Sequence, residues 1–146
     1  MQELINLDEV FAMAVTIENN AVRFYRAIAQ RYGTGPASQT LEKLARMEEG
    51  HEETFRQMRQ DLSDEDAAGG VDLADEGGLY LWAVSGGGYR VEGSEGILDS
   101  LTGEESIQDI LRIGMDLEKE AVLYYLGIRD IVSDRQAKDK ITEVID

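Results

Sequence analysis

The sequence predicts an all-α fold, a four-helix bundle made of two repeated helical hairpins joined by a long crossover. Apolar residues recur at spacings of three and four over long stretches, which is the mark of helices with one buried face. Glycine pairs and triplets gather in a single block, residues 63–102, that separates the two halves. Residues 14–28 also align with residues 114–128 without a gap, so the halves read as copies.

The first helix is expected from Leu7 to about Arg31. Val10, Ala14, Ile17, Ala21, Phe24, Tyr25 and Ile28 form its apolar stripe, and Asn6 with Glu9 offers a capping box. "RYGTGPAS" ends the pattern, and Pro36 suits the first position of a second helix running to about Leu62. The stripe of that helix reads Leu41, Leu44, Phe55 and Met58, with Glu48 and His51 filling the interval. In the crossover, "LYLWAV" is expected to form a short helix or strand, with Trp82 as its anchor to the bundle. A third helix is expected from near Gly103 to about Val132, capped by Thr102 and Glu105, and a fourth from after Ser133 to the end of the chain.

In the repeat, "AVTIENNAVRFYRAI" lies over "GMDLEKEAVLYYLGI". Glu18 meets Glu118, Ala21 meets Ala121, Tyr25 meets Tyr125 and Ile28 meets Ile128. The same offset carries Leu41 onto Ile141 and Leu44 onto Val144.

Composition bounds the chemistry. The length of 146 residues fits one domain, and the absence of cysteine excludes disulfides, thiolate zinc sites and iron–sulfur clusters. A net charge of −16 disfavours nucleic acid and anionic membrane as partners and favours cations. With no stretch of about 20 apolar residues and no signal-peptide pattern at the start, the expected location is cytoplasmic.

The repeat gives the acids their meaning. Glu18 and Glu118 each lie on the apolar stripe of their own helix, where an ionised carboxylate needs a cation, a proton or a metal. Glu48 and His51, the only histidine, stand at i and i+3 on the facing helix, so both can reach one ion at the bundle axis. Carboxylate and imidazole suit iron or manganese. Tyr25 and Tyr125, two turns beyond the glutamates, are either core aromatics or donors to metal-bound carboxylates. Glu49, Glu52 and Glu53 read as a solvated face beside the site.

Through "AVTIENNAVRFY", "LARMEEGH" and "LEKEAVLYY", the chain resembles the ferritin-like superfamily and, within it, rubrerythrin-related proteins. The resemblance implies a ferritin-like bundle with a non-haem di-iron centre, in which Glu18, Glu48, His51 and Glu118 are ligands. It further implies reduction of peroxide or dioxygen with oxidation of ferrous iron, an external electron donor and a homodimer or higher homo-oligomer. Two iron ions are the implied cofactor, with manganese as the variant. Without cysteine in these 146 residues no rubredoxin-like domain is expected within them, and Met115 stands where rubrerythrins carry an extra acid. The family's second Glu-x-x-His would fall at 148 and 151, past Asp146, so the chain is expected to be cut short in its fourth helix. The competing expectations are a metal-free helical module that works by association and a passive iron-storage protein.

Overall fold

The computed structural model describes residues 5–62, 70, 71, 101–132 and 135–146. Helix α1 spans Leu7–Arg31, α2 Pro36–Gln60, α3 Ile107–Ile131 and α4 Arg135–Ile145. Two short strands, β1 (Ile5–Asn6) and β2 (Gly70–Val71), pair antiparallel and tie the entry of α1 to the chain beyond α2. The remainder of the crossover, with "LYLWAV" and Trp82, lies outside the described residues.

The helices begin where local hydrogen bonding dictates. At α1, Asn6 Oδ1 accepts from the Glu9 amide at 2.8 Å and Glu9 Oε2 accepts from the Asn6 amide at 3.0 Å, which satisfies two otherwise unpaired donors. Helix α2 starts at Pro36, whose missing N–H would be unpaired there in any case. Helix α3 departs from expectation: it starts at Ile107 and uses Ser106 and Asp109 as its capping box. Thr102 and Glu105 do bond one another, but in a turn that precedes the helix, with the Glu105 carboxylate accepting from the Thr102 and Gly103 amides. Gly103 at φ 86° places that turn in the left-handed region, which a helix cannot include.

The core lies in two blocks with a polar layer between them. One block joins Val10, Phe11 and Ala14 of α1 to Phe55 and Met58 of α2, Tyr124, Tyr125 and Ile128 of α3, and Ile141 of α4. The other joins Phe24, Ile28 and Ala29 of α1 to Leu41 and Ala45 of α2 and Ile110 of α3. Glu18, Glu48, His51 and Glu118 all fall in the sequence intervals between these blocks. The hairpin of α1 and α2 is fastened at both ends, by Ser38 Oγ donating to the Ala29 carbonyl at 3.0 Å and by Arg59 donating twice to Asp8 at 2.7 and 3.0 Å.

Helices α1 and α3 run antiparallel. Tyr125 reaches Glu18 while Tyr25 reaches Glu118, so seven residues forward on one helix match seven residues backward on the other. The duplication therefore places its two copies about a local two-fold axis that passes through the polar layer.

Candidate metal centre

Each site residue sits where its helix turns toward the polar layer. Glu18 follows Ala14 by one turn on the buried stripe of α1, and it is only 2% exposed. Glu48, one turn after Ala45 on α2, is 3% exposed. His51 is half-buried one turn further on, and Glu118 of α3 is half-buried as well. Glu18, Glu48 and His51 each bring one ligand atom to within 4.8 Å of the other two. Glu118 stands outside that trio and faces it through Glu48, since the two carboxylates perturb one another.

The electrostatics follow from burial. His51 Nδ1 lies 3.2 Å from Glu48 Oε2 and 3.7 Å from Glu18 Oε2. The nearby carboxylates of Glu18 and then Glu48 raise its pKa from 6.5 to about 10, against the opposing effect of desolvation. The imidazolium thus fills the place of a cation among the acids. Burial, with the neighbouring Glu48 second, raises Glu118 to about 8. Burial is also the largest cause that raises Glu48.

Both tyrosines donate to carboxylates of the site. Neither serves the glutamate on its own helix: Tyr125 donates to Glu18 Oε1 at 2.5 Å and Tyr25 donates to Glu118 Oε1 at 3.1 Å, each across the α1–α3 contact. Seven residues along a helix is about 10 Å, too far for a hydroxyl to bond a carboxylate on its own helix, whereas the antiparallel partner brings one within reach. Tyr125 is aimed by its neighbours, with Phe55 stacked at 4.7 Å and Tyr124 edge-on at 6.0 Å between ring centroids.

The acids next to the site divide. Glu49 pairs with Arg26 of α1 and Glu53 is exposed, as a solvated face requires. Glu52 corrects that expectation, because it is 8% exposed and its carboxylate accepts from Arg56 Nη2 at 2.6 Å. Its signal in the sequence was its place one turn after Glu48, on the buried stripe, with an arginine one turn later.

These residues fit a bound cation. Glu18 Oε2 is a buried carboxylate oxygen that receives no hydrogen bond, while its other oxygen takes the Tyr125 hydroxyl. An orphaned buried oxygen of that kind carries a desolvation cost that a metal ion would offset. Oxygen donors with one imidazole are the set that hard and borderline divalent ions prefer.

The sequence model of the rubrerythrin family matches residues 4–70. That span holds Glu18, Glu48 and His51 and stops before Glu118. Among curated proteins, none matches the sequence. Among solved structures, a protein from Thermotoga maritima, described provisionally as a ferritin-like diiron-carboxylate protein, superposes with a TM-score of 0.75 at 19% identity. The superposition covers 99% of this chain and 88% of that one. At that identity the likeness is one of fold. Among the described residues, no helix is long and apolar enough to cross a membrane.

Proposed function

We propose that this chain, whose first hairpin matches the rubrerythrin family model and whose fold is like that of a ferritin-like diiron-carboxylate protein, holds a di-iron or di-manganese centre and reduces peroxide or dioxygen as ferrous iron is oxidised. The observation that carries this reading is the buried Glu18 Oε2, which receives no hydrogen bond and lies 3.7 Å from the His51 Nδ1. Glu18, Glu48, His51 and Glu118 are the residues that would hold the metal. Two ferrous ions, when bound, supply one electron each, so that one hydrogen peroxide and two protons give two waters.

The protein's own contribution is placement and proton handling. His51 would hold a metal ion through Nδ1, the nitrogen that faces Glu18 and Glu48, and would do so deprotonated. Glu48, which interacts with both Glu18 and Glu118, would be the ligand shared between two ions, and His51 would hold one of them. Tyr125 and Tyr25 hold one oxygen of Glu18 and of Glu118, which leaves the second oxygen of each carboxylate for a ligand. An external electron donor returns the iron to the ferrous state.

The test is anaerobic loading with ferrous iron, then oxidation by air or peroxide followed by absorbance, in the parent and in Glu18→Ala and His51→Ala. Equal oxidation rates in all three proteins refute the reading. A second reading, association of helical hairpins without metal, draws on the exposed apolar side chains Met47, Leu111, Met115 and Leu123. Elemental analysis of purified protein separates the two: one or two transition-metal ions per chain supports the first, and none together with a dimer in sedimentation supports the second.

A further inference from the structure

Helix α3 carries a glycine, Gly114, buried in its interior and one turn before Glu118. Glycine is a poor helix residue, so an interior one calls for a local reason. A Cβ placed on Gly114 would lie 3.1 Å from the Tyr25 hydroxyl, 3.3 Å from Tyr25 Cε1 and 3.6 Å from Tyr25 Cζ. The Tyr25 ring therefore rests on bare backbone while its hydroxyl donates to Glu118 Oε1 at 3.1 Å. The duplication provides an internal comparison. At the equivalent position of α1 stands Ala14, fully buried, and Tyr125 still donates to Glu18 Oε1. One turn before its glutamate, α3 thus carries glycine where α1 carries alanine.

We propose that Gly114 is a positioning residue: by lacking a side chain it seats Tyr25 against α3, fixes the Glu118 carboxylate, and makes the Glu118 half of the centre geometrically distinct from the Glu18 half. Adding a methyl at 114 forces the tyrosine hydroxyl away by a few tenths of an ångström, enough to weaken its bond to Glu118 while leaving the Tyr125–Glu18 bond untouched. Within the metal reading on which this consequence rests, Glu118 then loses its fixed orientation as a ligand.

The seat itself is tested without metal. The protein is labelled at tyrosine Cζ with carbon-13, and its six tyrosine resonances are assigned by single Tyr→Phe changes. Gly114→Ala is expected to move the Tyr25 resonance and leave that of Tyr125 in place; an unmoved Tyr25 resonance overturns the proposal. Cobalt(II) titration, followed by its visible spectrum, then tests the consequence. Gly114→Ala and Tyr25→Phe are each expected to weaken binding roughly tenfold, the loss that goes with one hydrogen bond to a charged group, and the double variant no further. Additive losses overturn the proposal, because they mean that Gly114 acts otherwise than through Tyr25. If the parent takes up no cobalt, the metal reading fails while the resonance test still decides the seat. Should Gly114→Ala not fold, folding of Gly114→Ala/Tyr25→Leu, which empties the seat, supports the contact as the cause, and its failure to fold overturns it.

Discussion

The Tyr125 hydroxyl donates to Glu18 Oε1 at 2.5 Å across 107 residues of sequence, and it is the only hydrogen bond that buried carboxylate receives among the described residues. A tyrosine from the second hairpin thereby holds an acid of the first. The α1–α3 contact and the orientation of the site are one feature, and a change to either shows in the other.

Tyr125→Phe removes that donor and leaves a buried carboxylate with no hydrogen bond. We expect a loss of about 2 kcal/mol in urea unfolding of the metal-free protein, the cost of stripping a charged buried group of its partner. Tyr25→Phe should cost less, because Glu118 is only half-buried and water can replace the phenol. Equal losses would show that Glu18 is better solvated than its 2% exposure indicates.

Glu18→Gln keeps the shape and the Tyr125 contact but removes the charge that does most to hold the proton on His51. The His51 midpoint is expected to fall from about 10 toward its ordinary 6.5. His51 is the only histidine, so its ring protons give an unambiguous NMR titration. A midpoint that stays near 10 would assign the shift to Glu48 alone.

Stability of the metal-free protein should fall as pH rises from about 5 to 9. Glu118 binds its proton more tightly folded than unfolded, about 8 against 4.5, and His51 does the same, about 10 against 6.5. For both groups the stabilisation is complete below the unfolded value and is lost as pH climbs through the folded one. Asp8, Glu49 and Glu105 are shifted down instead, so what they add is lost only at acid pH, below this window. Divalent metal should reverse the trend, because ligands bind metal deprotonated. Thermal melts at pH 5, 7 and 9, with chelator and with metal, check both slopes.

The helices and the acid–imidazole layer were legible because each rests on a local rule. The stripe of α1 marked Glu18 as an acid on an apolar face, and the Asn6–Glu9 pair marked where the helix begins. The repeat alone singled out Glu118, which has Asp116 and Glu120 for neighbours. Relationships between helices were not legible. That Tyr25 serves Glu118 and Tyr125 serves Glu18 depends on α1 and α3 being antiparallel, which no single-helix pattern encodes. The start of α3 is ambiguous in sequence because two acid–hydroxyl pairs, Thr102 with Glu105 and Ser106 with Asp109, carry the same signature. Gly103 decides between them only through its backbone angle. Glu52 reads as part of a solvated face because a run of acids looks uniform in sequence, whereas a helix turns one of them inward at every turn.

Gly50, between Glu48 and His51, is the counterpart to Gly114 and leads to the opposite expectation. It is exposed and helical, and a Cβ added there would meet nothing within 4 Å. Alanine at such a position narrows the unfolded ensemble and favours the helix, so Gly50→Ala should stabilise the protein by about 0.5–1 kcal/mol. The urea midpoint should rise with an unchanged slope, since no surface is newly buried. Metal affinity should stay the same, because the new methyl stands clear of every neighbour, those in the polar layer included. Greater stability with weaker metal binding would instead show that the Glu48–His51 turn must flex to close on its ion, and that the glycine is kept for that movement at a cost in stability.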